Sequence, residues 1–264
     1  MGHKLKKAPV YFVICQVNFN AVFSFKDSIN QIQDSFRKNG YSDVKQEMFQ
    51  TFLFPTIKSN SESNFSIEES ARYIFCNMNK DSGFILNSSS LSFLTTNYHD
   101  HDSFFKPFFD NLESLHQIFN FEFTDRVGLR YLDAVFDEDE KHDPMSFLVE
   151  SVQGLPQVSN DELVYSFCET AFKRQNVDIV TRTMFEKGPI TIPPDLMPSF
   201  LNIHKRFSSF QGRHALIDTD GSISTRQTFE CNNVKSHLEL IHSLLYNVFE
   251  TTVTSKAFEY WKES

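Results

Sequence analysis

His99, Asp100, His101 and Asp102 stand in four consecutive positions. Imidazole nitrogens and carboxylate oxygens are the atoms that bind zinc or move protons between reactants. On an extended segment alternate side chains share a side, so His99 and His101 are placed to face one ion. Two ligands do not make a zinc site, which needs three or four. Nor does the H-x-H-x-D-H arrangement of some two-metal hydrolases fit, because Asp102 directly follows His101 and Ser103 comes next. The same four residues also read as the start of a helix. Tyr98 then ends a strand, Asp102 or Ser103 caps a helix from about 102 to 119, and the carboxylates lie at its positive end. That reading is the expected one, and a metal-dependent hydrolase or nuclease using His99 and His101 is the alternative.

Asp218-Thr219-Asp220-Gly221 suggests calcium, but an EF-hand loop has glycine at its sixth position and glutamate at its twelfth. Here glycine falls fourth and Glu230 thirteenth, so a hairpin with Asp-Gly at its tip is expected instead. His116 and His242 fall on helical stretches beside apolar neighbours and read as helix-flank residues. The sequence holds no G-x-S-x-G, H-E-x-x-H, P-loop or dinucleotide fingerprint. No residue is singled out as catalytic, and no cofactor is expected. Arg130, between Leu129 and Tyr131 in a strand, requires a carboxylate or carbonyl partner if its face is buried. Strand alternation sends Asp133 to the opposite face, so the partner must come from another element. An ion pair is expected there, with a small-anion or ligand contact at Arg130 as the alternative.

These residues need a scaffold. Ala8–Phe19 reads as a buried strand, Asp27–Asn39 as a helix stopped by Gly40, and Val44–Pro55 as a returning strand. Residues 56–70 are polar and loop-like. Ala71–Tyr98 reads as two or three antiparallel strands, turning at Asp81–Gly83 and Asn87–Ser90, and Arg126–Phe136 as another strand. A short helix is predicted at Met145–Val152, and strands at Leu163–Phe172, Val177–Gly188 and His214–Glu230. Pro189, Pro193, Pro194 and Pro198 predict an exposed, stiff loop. A last helix buries Val234, Leu238, Ile241, Leu245 and Val248, with Asn232 or Asn233 as its cap.

The expected class is α+β: antiparallel sheets, each covered by helices, possible as two similar halves, 1–143 and 144–264, that can also fold as one domain. The halves share L-E-x-[L/I]-H, at Leu112–His116 and at Leu238–His242.

Thirty Phe against one Trp among 264 residues reads as core filler, since each Phe buries a large area. A net charge of −9 argues against a general nucleic-acid binder, which needs a concentrated basic face. The four cysteines are widely spread without a C-x-x-C pair, as expected of reduced thiols in the cytoplasm. No apolar run approaches 18 residues, so no membrane association is expected.

"APVYFVICQVNF", "LSFLTTNYHDHDSFFKPFFDNL", "RVGLRYLD" and "VFETTVTSKAFEYW" together resemble a sporadically distributed, functionally uncharacterised prokaryotic family of cytosolic proteins of similar length. Its members show an Ala-Pro opening strand, a Tyr-ended strand before a helix and a Gly-Leu-Arg-Tyr strand. An aromatic residue commonly sits a few residues after that Tyr, where this chain has His-Asp-His-Asp. The resemblance implies a mobile locus of the anti-phage defence kind. The expected function is therefore a non-enzymatic interaction protein: a subunit, adaptor, or chaperone-like or antitoxin-type partner. Its protein partner would be encoded nearby, with self-association left open. The acidic run Asp137, Glu138, Asp139 and Glu140, with Pro193 and Pro194, supplies the candidate protein-binding residues.

Overall fold

In the strand Val10–Phe19 (β1), Val13, Cys15, Val17 and Phe19 point to one side and Phe12 and Ile14 to the other. A strand buried on both faces belongs in the middle of a sheet, and β1 lies there. In this computed structural model, which describes residues 5–53, 66–154, 163–196 and 200–262, ten strands form one antiparallel sheet. The remaining strands are Asp43–Leu53 (β2), Ser66–Cys76 (β3), Ser82–Asn87 (β4), Ser90–Thr95 (β5), Phe123–Val135 (β6), Ser166–Arg174 (β7), Val177–Lys187 (β8), Arg213–Ile223 (β9) and Gln227–Thr228 (β10). Their order is β2-β3-β4-β5-β1-β6-β9-β8-β7, with the short β10 beside β6.

The helices are Ile29–Lys38 (α1), His101–Phe119 (α2), Lys205–Ser208 (α3), Cys231–Thr252 (α4) and Ser255–Lys262 (α5). The apolar stripes of α1, α2 and α4 lie on one face of the sheet, over Val13, Val17, Phe84, Phe93, Leu129 and Ile179. The α+β class expected from the sequence is therefore what the chain adopts, with the strands of 1–143 and 144–264 joined in a single sheet through the β6–β9 pair. The same plan appears twice along the chain, the second time opening at β6. A first strand (β1 or β6) is followed by a meander whose last strand (β5 or β9) returns antiparallel beside it, and then by a long helix (α2 or α4).

The other face is covered at one end by residues 188–196 and 200–212. The prolines predict an exposed loop, but Ile190, Ile192, Leu201 and Phe207 are buried against Phe12, Leu132, Ala134 and Leu216. Proline removes ladder donors without making a segment polar, and the isoleucines between the prolines seek the sheet. Pro193 is half-buried, Pro194 is exposed, and Pro198, like Pro55, lies outside the described residues.

Asp218–Gly221 is a second correction. It is no hairpin tip but the middle of β9, hydrogen-bonded to β6 on one side and β8 on the other. Glycine stands there because α4 comes close: a Cβ at Gly221 would lie 2.8 Å from Ile241 Cγ2 and 3.0 Å from Leu245 Cδ2. Residues 66–70, read as loop, open β3. The stretch 145–152 forms two short 3-10 turns rather than one helix. The tail folds as α5, which the sequence reading lacks, and fully buries the single Trp261.

Candidate functional site

The His-Asp-His-Asp run does start a helix, with the cap two residues earlier than expected. Asp100 is the cap, its carboxylate accepting from the Ser103 backbone N–H at 2.8 Å. His99 is exposed. His101 instead stacks on His242 of α4, ring centroids 4.5 Å apart and 22° from parallel. Among the described residues no group of three His, Cys, Asp or Glu side chains gathers to hold a metal ion.

His242 belongs to a half-buried relay that sequence spacing does not reveal. Its Nδ1 lies 2.9 Å from the Tyr131 hydroxyl on β6, and Tyr131 in turn is hydrogen-bonded to Tyr98. Burial, reinforced by His101, pushes His242 down to about 4, so it is neutral at neutral pH. Burial likewise holds the Tyr131 phenol well above its usual range. Two residues along β6 on the same face, Asp133 is 7% exposed. Burial raises it to about 8, which keeps it a neutral acid near pH 7. The shared L-E-x-[L/I]-H motif places its two histidines differently. His116 accepts from the Phe121 N–H at 3.1 Å and closes the end of α2, whereas His242 reaches the relay.

On the opposite face, Arg130 has the partner that strand alternation demands from another element. Its Nε and Nη2 each donate to Asp218 of β9 at 2.7 Å. Its Nη1 donates to Asp195 of the loop segment 188–196. The Arg130 side chain is 11% exposed and that of Asp218 only 2%. Arg182 of β8 completes the network, with Nη1 3.3 Å from Asp218 and Nε 2.6 Å from Glu169 of β7. Two guanidinium groups thus meet three carboxylates, leaving the cluster one negative charge in excess, and Arg130 serves as the ion-pair residue that fastens the loop to the sheet.

Beyond that loop the face stays uncovered among the described residues. Arg126 lies across Gly128, where an added Cβ would come 2.8 Å from its Nη1, and donates to Gln16 at 3.0 Å. Gln16 donates in turn to Ser92 at 3.0 Å. Asp220 stands beside them, burial raising its carboxyl while Arg126 and Arg130 draw it back. On this face Asp220 stands opposite Arg130 across β6 and β9, Arg182 stands opposite Glu169 across β8 and β7, and Gln16 and Arg126 lie further along β1 and β6, so half-exposed and exposed charges of both signs share the surface.

Three residues of the acidic run, Glu138, Asp139 and Glu140, are exposed, and the fourth is not. Asp137 is buried and accepts from the N–H groups of Asp139, Lys141 and His142 at 2.9–3.1 Å. It also meets His142 Nδ1 at 2.7 Å and accepts from the Tyr260 hydroxyl at 3.1 Å. Burial opposes its ionisation, yet these hydrogen bonds hold it below the usual carboxylate range. Glu138 pairs with Arg206 at 2.7 Å and Asp139 with Lys141 at 2.9 Å, while Glu140 is exposed. Asp137 therefore organises a turn.

An open groove of about 600 Å³ runs between α1 and α2, lined by Gln31, Asp34, Ser114 and Gln117 among others. All four cysteines are free thiols. Among the described residues no helix is long and apolar enough to cross a membrane. Comparisons with family models, curated proteins and solved structures find nothing that matches this chain.

Proposed function

We propose that the chain is a non-enzymatic interaction protein, a subunit or adaptor whose protein partner docks on the uncovered sheet face. The observation that carries this reading is the group Arg126, Asp220, Arg182 and Glu169, which sets charges of both signs on one uncovered face of the sheet. Such a surface suits a protein partner of complementary charge, because a small ligand needs concave enclosure and a nucleic acid needs one sign of charge. The resemblance noted in the sequence makes the setting a mobile, defence-type prokaryotic locus, with the partner encoded nearby and the complex in the cytoplasm.

The test is expression together with the flanking genes, followed by native purification, partner identification and metal analysis. A stoichiometric partner held by the wild type and by Lys106→Glu on α2, but lost from Arg126→Glu, supports the reading. Tightly bound metal lost on His99→Ala and His101→Ala overturns it.

A further inference from the structure

The strand β7 closes one side of the sheet, and among the described residues only β8 pairs with it. An open edge of this length offers unpaired N–H and C=O groups to any strand that can lie beside it. Charged residues usually protect such an edge, and β7 carries Glu169, Lys173 and Arg174. These charges are spaced so that a second copy of the same strand satisfies them.

We propose that two copies of this chain associate through β7, antiparallel across a twofold axis at Ala171, extending the sheet from one molecule into the other. With Ala171 opposite Ala171 of the second copy, Glu169 falls opposite Lys173 and Thr170 opposite Phe172. Glu169 already pairs with Arg182, at 2.6 Å, and Lys173 with Asp178, at 3.0 Å. The junction therefore reads Arg182, Glu169, Lys173, Asp178 across four strands, with signs alternating throughout, and the twofold repeats it in reverse. Glu169, Ala171 and Lys173 are exposed and point to the same face, so the ladder requires no side chain to be dislodged. An axis at Ala171 also keeps the pairing clear of Gln153, whose carbonyl accepts from the Ser166 hydroxyl at the start of β7. A twofold contact of this kind closes on itself, so assembly stops at the dimer. This surface is separate from the proposed partner's docking group except at Glu169, and its test requires no partner.

Sedimentation equilibrium of the full chain, up to about 200 µM, should show a monomer–dimer equilibrium. Ala171→Lys sets two ammonium groups opposite each other and should weaken the dimer ~5-fold, without lowering the melting temperature measured at monomeric concentration. Glu169→Lys and Lys173→Glu should each weaken it, and the double exchange should recover part of the loss, since it restores the contact between copies while opposing like charges at Arg182 and Asp178 within each. Ala171→Cys in a Cys168→Ser background should give a disulfide-linked dimer under mild oxidation, because directly opposed strand residues lie within disulfide reach. A wild type that stays monomeric throughout overturns the proposal. So does a dimer that is indifferent to Ala171→Lys and does not cross-link in the Ala171→Cys variant.

Discussion

Asp218→Asn removes the charge that holds both Arg130 and Arg182 while barely changing shape. The Asp218 side chain is 2% exposed and meets Arg130 through two 2.7 Å hydrogen bonds. Breaking a buried pair from one side costs about 3 kcal/mol, because Arg130 loses its buried carboxylate and keeps only the exposed Asp195. Asp195, the other carboxylate on Arg130, has a 62% exposed side chain, so Asp195→Asn should cost under about 1 kcal/mol. Unfolding entropy near 2.1 cal/mol/K per residue gives roughly 0.55 kcal/mol/K for this chain, so Asp218→Asn should lower Tm by about 5 °C and Asp195→Asn by about 1–2 °C. Differential scanning calorimetry at pH 7 measures both. Equal losses, or a loss below about 1 °C for Asp218→Asn, would refute the reasoning that burial sets the strength of this network.

Asp133 is raised to about 8 by burial, so the unfolded chain releases this proton first, and stability should fall as pH rises from about 4 to about 8. Asp133→Asn should remove that slope and raise Tm at pH 8, as read from melts across the range. His242 has the opposite sign. Lowered to about 4, it should contribute stability that is present above about 6.5 and lost as pH falls to about 4. The groups facing it, His101, Asp102, Tyr131 and Tyr246, remain in His242→Asn. Urea titrations at pH 4.5 and 7 should therefore show a difference smaller by about 2 kcal/mol in that variant. Gly221→Ala should cost about 1–3 kcal/mol in urea unfolding, because its Cβ would meet Ile241 and Leu245.

Local sequence pattern was sufficient wherever one face of an element decides its fate. The stripe Val234, Leu238, Ile241, Leu245 and Val248 is buried as its spacing demands. Strand alternation correctly sent Arg130 and Asp133 to opposite faces and required Arg130's partner to come from elsewhere. It could not name Asp218, because 88 residues separate the two and only the β6–β9 register brings them together. The caps of α2 and α4 fall at Asp100 and Glu230, two or three positions before those expected, since neighbouring polar residues compete for the same backbone donors.

The larger differences have one cause. Asp-Gly favours a turn locally, but ladders with β6 and β8 and the close approach of α4 hold Asp218–Gly221 extended. Prolines marked an irregular segment, while Ile190 and Ile192 determined that it would cover the sheet. His101 and His242 meet because both rounds of the repeated plan share one sheet, which sets α2 and α4 side by side. By itself the sequence determined the elements and their apolar faces, since these depend on neighbours along the chain. Tertiary structure alone decided which charges are paired, which acids are neutral and which strand edge is open, because each depends on groups that are distant in sequence and adjacent only after the sheet has closed.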